Sequence, residues 1–275
     1  MSSITKRITV DEIPTLATVR EGRLPAVVFI HGNSQSSREF APLFQSRALT
    51  GRHLVSYDLP GHGGSARSTT PAQAYSMDGY CRHLAALLEQ LELNHYVLVG
   101  LSLGGHIAMQ AAAGKFIPEP AALVTIGSPP LGSTADFPSA FRPLPGGISL
   151  FKETLPRDEA EVIAASLGLG DGLIPEIIDA ILKTDPKARS CLMDNLVTQP
   201  LQDECELVTQ ATIPVKLYFG ADDRLINLAY LTEKKLTARL GSRLVFLPDT
   251  GHLPDFTDEG RFAGLLSSFL ETIDE

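Results

Sequence analysis

The chain has 275 residues, 44% hydrophobic and 20% charged, with a net charge of −9. That length suffices for a full core in one large domain, and the acidic balance without a basic run argues against nucleic acid or an anionic membrane as partner. No apolar run reaches the roughly 18 residues of a membrane span, the polar opening Met1-Ser2-Ser3 lacks a secretory pattern, and Cys81, Cys191 and Cys205 show neither metal-ligand nor paired spacing, so a reduced, cytoplasmic protein is expected.

Residues 4–10 and 15–19 alternate apolar and polar, as opening strands do. The run Pro25-Ala-Val-Val-Phe-Ile30 reads as a strand buried on both faces, ending at His31-Gly32-Asn33-Ser34. A helix is predicted from Ser36 to about Leu49, and a strand over His53–Tyr57 that runs into the loop Asp58-Leu-Pro-Gly61-His62-Gly63-Gly64-Ser65. Ser76 is a candidate N-cap for a helix to Leu93. A β-branched run then reaches Gly100-Leu101-Ser102-Leu103-Gly104, passes into an Ala-rich helix to about Lys115, and is followed by the strand Ala121–Ile126. This β-α alternation predicts a doubly wound, mostly parallel sheet.

Sheet-type runs stop after Gly127. Residues 128–209 are first rich in Pro and Gly and then helical over 157–167, 174–183 and 186–196, so they are predicted to form an inserted helical cap. The α/β core is accordingly expected over 1–127 and 210–275. Its second part holds a strand over Ile213–Phe219, a helix from about Ala229 to Leu240, a strand over Arg243–Leu247 and a closing helix over 258–273.

Ser102, the pair Asp222/Asp223, and His252 each fall just after a predicted buried strand. Ligands bind outside the carboxyl ends of the strands in such sheets, so three groups from distant sequence are directed to one site. The Gly-x-Ser-x-Gly pattern between strand and helix points to a nucleophile elbow, a turn so sharp that only glycine fits at its flanks. A serine hydroxyl needs a base within hydrogen-bond reach, and the base needs an acid to hold its second nitrogen; His252 and one of the two aspartates are the candidates.

These motifs give the sequence a resemblance to the α/β-hydrolase superfamily over nearly its whole length: His31-Gly32, Asp58-x-x-Gly61-His62-Gly63-x-Ser65, Gly100-x-Ser102-x-Gly104, Gly220-x-x-Asp223 and Gly251-His252. The resemblance implies an α/β-hydrolase fold of about eight strands, and a catalytic Ser102, Asp223 and His252. The acid is placed at Asp223 by the family's spacing, with Asp222 as the alternative. The same resemblance implies that the backbone N–H groups of Asn33 and Leu103 form the oxyanion hole. His-Gly-Asn also looks like the haloalkane dehalogenases, but those enzymes use an aspartate where Ser102 stands.

No metal site and no cofactor are expected, since no cluster has ligand spacing and there is no phosphate loop. Leu101, Phe137, Phe141, Leu144 and Leu253 are the candidate pocket residues, and His53, His83 and His95 read as surface or strand-edge residues. The expected function is cofactor-independent hydrolysis of a small, partly apolar ester or lactone, an acyl-homoserine lactone included, through an acyl-enzyme on Ser102. The alternative within the same fold is a small-molecule receptor, or a cofactor-free oxygenase or lyase with His252 as base.

Overall fold

The computed structural model describes residues 2–143, 150–167, 174–257 and 260–274. Its strands are β1 (Ile4–Val10), β2 (Ile13–Arg20), β3 (Arg23–Ile30), β4 (Arg52–Tyr57), β5 (Tyr96–Leu101), β6 (Ala122–Ile126), β7 (Val215–Gly220) and β8 (Leu244–Leu247). They form one eight-stranded sheet in the order β1-β2-β4-β3-β5-β6-β7-β8. The first hairpin and the β2–β4 pair are antiparallel, and every pair from β4–β3 onward is parallel.

Burial follows from that order. Every residue of β5 and β6 is buried, which explains their unbroken apolar runs, whereas the edge strand β1 is exposed along most of its length. The helices between strands are the short α1 (Ala41–Gln45) and α2 (Pro71–Ala74), then α3 (Met77–Gln90) and α4 (Leu103–Ala113). Two apolar clusters result, one on each face of the sheet.

Between β6 and β7 the chain leaves the sheet and forms α5 (Phe137–Ala140), α6 (Arg157–Ser166), α7 (Ile174–Lys183), α8 (Pro186–Thr198) and α9 (Glu204–Gln210). This segment is bound to the core by polar contacts. The Asp185 carboxylate accepts from the Tyr75 hydroxyl at 2.7 Å, while its N–H donates to the Gly61 carbonyl at 2.7 Å. The Asn195 side-chain oxygen accepts from the Met77 N–H at 2.9 Å. Buried Glu204 accepts from Leu131 N–H and Gln110 Nε2, each at 2.9 Å, and pairs with His106 Nδ1 at 2.9 Å.

After β7 the chain forms α10 (Leu228–Glu233) and α11 (Leu236–Leu240), crosses β8, and ends in α12 (Arg261–Asp274). The single helix expected over 229–240 is therefore two, broken where Lys235 takes a left-handed φ of 57°. The helix expected over 36–49 is likewise divided, because Ser46 is extended with ψ 136° and its hydroxyl caps the next turn. Helix α9 was not expected, although Asp203 caps it by accepting from the Glu206 N–H at 2.8 Å. Asp-x-x-Glu is the signal that marks such a start. His83 is buried and bonded to Thr15 at 3.2 Å, against its expected place at the surface.

Among the described residues no helix is long and apolar enough to cross a membrane.

Candidate active site

Strand β5 must turn directly into α4 with their backbones in contact. A Cβ on Gly100 would lie 2.3 Å from the Gly104 carbonyl oxygen, and one on Gly104 would lie 2.0 Å from that of Ile30. Neither backbone can move aside, so both positions require glycine. The residue between them, Ser102, is held at φ 51° and ψ −116°, a conformation L-residues avoid. Gly104→Ala is expected to cost about 4 kcal/mol or more, because backbone rather than a flexible side chain occupies the space. Urea unfolding would show it as a large drop in midpoint, or the variant would be recovered only as aggregate.

Across the cavity, His252 Nδ1 bonds Asp223 Oδ2 at 2.8 Å, with both side chains almost fully buried. Asp223 Oδ1 accepts the N–H groups of Leu225 and Ile226 at 2.8 and 3.1 Å. Burial alone would raise this carboxyl. The attraction of His252 and the hydrogen bonds from the ring and the two amides outweigh it, and the group lies below its ordinary value. The two turns are joined by their backbones, since Asp222 N–H donates to Thr250 O at 2.9 Å and Ala221 N–H to Leu247 O at 2.8 Å. Asp222 itself is exposed, and its side chain makes no hydrogen bond or ion pair among the described residues.

The third wall is the loop after β3. A Cβ on Gly32 would be 3.5 Å from Ser102 Cβ, so this loop packs on the serine. His31 fixes it. Its Nδ1–H donates to the Gly32 carbonyl at 2.8 Å and its Nε2 accepts the Leu59 N–H at 2.9 Å, which defines one neutral tautomer. Burial pushes His31 down to about 4, so the brace stays neutral across the ordinary pH range. Asp58 supports the same region, accepting the Ser37 N–H at 2.7 Å and the Gly64 N–H at 2.6 Å. His62, its ring tilted against that of His31 with centroids 5.2 Å apart, is pushed down to about 3, by burial first and then by its neighbour.

One cavity of about 380 Å³, partly open to solvent, is lined by Ser102 and His252 together with Asn33, Gln35 and Glu39. Its apolar wall consists of Leu101, Leu225 and Leu253 from the sheet side and Leu150, Ile163 and Leu167 from the inserted segment. That segment touches both active loops: the Asn33 side-chain amide donates to the Leu150 carbonyl at 3.2 Å, and the His252 N–H donates to that of Leu167 at 3.0 Å. Among the described residues the Ser102 hydroxyl and the N–H groups of Asn33 and Leu103 close no hydrogen bond. Free donors at a helix N-terminus beside a hydroxyl suit a developing oxyanion.

Leu101 and Leu253 are thus in the cavity wall. Phe137 and Phe141 are not. Their rings stack at 4.4 Å and pack against Phe151 and His106, and Phe141 bridges to Ile226. Leu144 lies outside the described residues. Ile163, Leu167 and Leu225 were missed as wall residues, and so was Glu39; nothing in a sequence period says which apolar face of an inserted helix covers a site. Among the described residues no three His, Cys, Asp or Glu side chains are grouped to hold a metal.

A model of the alpha/beta hydrolase family matches residues 27–265. The chain is 25% identical over 271 residues to an uncharacterized protein of Mycobacterium tuberculosis, covering 91% of this chain and 76% of that one. A stretch of 109 residues, 38% of this chain and 39% of the relative, is 38% identical to the 2-succinyl-6-hydroxy-2,4-cyclohexadiene-1-carboxylate synthase of Salmonella typhimurium. A solved structure of a variant of the N-acyl homoserine lactonase AidH, complexed with N-hexanoyl homoserine, superposes with a TM-score of 0.89 at 24% identity, covering 100% of this chain and 98% of that one. An esterase from Rhodococcus sp. ECU1013 superposes with a TM-score of 0.73 at 20% identity, covering 99% of this chain and 100% of the other. At these identities the structural likeness speaks to the fold.

Proposed function

The chain belongs to the α/β-hydrolase family, and on that premise we propose that it hydrolyses a small, partly apolar carboxylic ester or lactone through an acyl-enzyme on Ser102. The observation that carries this is His252, held from behind by Asp223, sharing one cavity with a serine at the strained elbow. In this mechanism His252 Nε2 takes the Ser102 proton as the hydroxyl attacks the substrate carbonyl. Asp223 holds the ring in the required tautomer and offsets the charge of the imidazolium. The Asn33 and Leu103 N–H groups receive the oxyanion, each such donor being worth roughly 3 kcal/mol of barrier. His252 then returns the proton to the leaving alkoxide and activates water to release the acid.

The inserted segment 128–209 acts as a cap, and 1–127 with 210–275 as the core that holds the chemistry. The leucine-rich wall accepts an acyl chain, since each methylene moved out of water gains about 0.8 kcal/mol. The N-acyl homoserine lactonase and esterase likenesses agree with acyl transfer to water, and among lactones an acyl-homoserine lactone is a natural first substrate to assay.

Treatment with a fluorophosphonate followed by intact-mass measurement is expected to give one adduct on the wild type and none on Ser102→Ala. An unlabelled but folded wild type would transfer the assignment to a reaction with His252 as base and no covalent serine. Ligand binding without turnover, oxygen uptake and lyase activity would then be the assays to run.

A further inference from the structure

One carboxyl in the Ser102–His252 cavity has no part in the chemistry above. Glu39 belongs to the 3-10 turn Ser37–Phe40, which follows the His31-Gly32-Asn33 loop, and it shares the cavity wall with Gly32, Gln35, Ser102 and His252. Both of its carboxyl oxygens are buried and neither closes a hydrogen bond of ordinary geometry, the Gly32 amide being the one backbone donor near enough to act on them. Among the described residues no Lys, Arg or His forms an ion pair with it. A buried carboxyl with so little to satisfy it costs stability that leucine at the same place would not, and apart from Gln35 every other large side chain of this wall is apolar or already has a role. What remains to satisfy it is an occupant of the cavity.

We infer that Glu39 is a specificity-determining residue, placed to hydrogen-bond a second oxygen of the substrate: a carbonyl or hydroxyl on the acyl chain, apart from the scissile ester. This rests on the proposed role of the cavity as an ester-hydrolase site. The charge state suits the task. Burial pushes the carboxyl up to about 8, the nearby Gly32 amide pulling it back in part and Asp58 pushing it further up. At neutral pH Glu39 therefore offers an O–H donor rather than a charge. The titratable groups around it are Asp58, on the adjoining loop, and His252, across the cavity; His31 stays neutral behind the loop.

The test compares p-nitrophenyl hexanoate with its 4-oxo and 5-oxo analogues in the wild type, Glu39→Leu and Glu39→Gln. In kcat/KM at pH 6.5 the wild type is expected to favour an oxo ester by on the order of 10-fold or more. Glu39→Leu should lose that preference, read as the ratio of kcat/KM for the two esters within the variant, whatever its rate on hexanoate alone. Glu39→Gln keeps a neutral donor and should retain most of it. In the wild type the preference should fade as the pH passes about 8, and in Glu39→Gln it should not.

Stability gives a readout without turnover. The unfolded chain ionises Glu39 near 4.5 and the folded chain near 8, so the wild type should lose stability against Glu39→Gln between those values. A difference flat with pH would mean an ionised carboxyl and would overturn the inference. So would the absence of any preference in the wild type, an equal loss on both esters in both variants, or a preference for amino-substituted esters that grows above pH 8. If Ser102 takes the fluorophosphonate and both esters turn over alike, this inference alone falls. If Ser102 is unlabelled and neither ester reacts, the hydrolase assignment falls with it.

Discussion

Ser102→Ala is expected to lower kcat on an ester substrate by on the order of 10⁶-fold, His252→Ala by about as much, and the double variant by no more than either alone. In the proposed mechanism the serine and the histidine serve one proton transfer. Without the hydroxyl there is no nucleophile, and without the imidazole the hydroxyl keeps its proton and is a poor nucleophile at neutral pH. What survives is water attack helped by binding and by the two N–H donors. KM should change little, because the leucine wall proposed to bind the acyl group is left whole. The folded state should also survive: Ser102 Oγ closes no hydrogen bond among the described residues, and alanine keeps the same Cβ at φ 51°, so the strain of the turn is unchanged. Single-turnover and steady-state rates, with urea midpoints for each variant, check this. A Ser102→Ala enzyme retaining a tenth of its activity would remove the serine from the mechanism. Losses that multiply in the double variant would mean two independent routes.

The sheet and the elbow were legible in the sequence because each is a steric necessity written in residue types. A strand buried on both faces leaves an unbroken apolar run, as in Val97–Val99, and a turn in which a Cβ would meet a backbone oxygen at 2.0 Å leaves glycine. The inserted segment was legible only as helical. Phe137 and Phe141 look like pocket residues in sequence, yet aromatic side chains gain as much by stacking on one another and on His106. Helix α6, by contrast, brings Ile163 to the cavity through its placement in the fold, a tertiary property with no local signal. Glu39 was invisible for a related reason. In a turn beside Arg38 it reads as a solvated carboxylate, and only the packing of the loop over Ser102 buries it. Position after the strand likewise left Asp222 and Asp223 as rivals, with only the family's spacing favouring Asp223, because adjacent residues at a strand's end differ only in the direction the turn gives them.

Asp223→Asn is expected to reduce kcat by about 10⁴-fold while Asp222→Asn leaves it within about twofold. The difference follows from the hydrogen bonds each side chain already has. Asp223 Oδ1 is engaged by two backbone N–H groups, and Oδ2 alone faces His252. An asparagine in this place must turn its carbonyl oxygen toward the two amides, since an NH₂ there would leave three donors facing each other. Its NH₂ then points at His252 Nδ1, which has to become an acceptor. The ring proton moves to Nε2, the atom meant to take the proton of Ser102, and the base is blocked by its own tautomer. Geometry and KM should survive, so the loss should fall on kcat, and the ¹⁵N shifts of the His252 ring should report the exchanged tautomer directly. Asp222, exposed and held only through its backbone, has no comparable role to lose. If instead Asp222→Asn carried the large loss, the turn would have to rearrange on substrate binding, and the Asp223 pairing would belong to the resting enzyme alone.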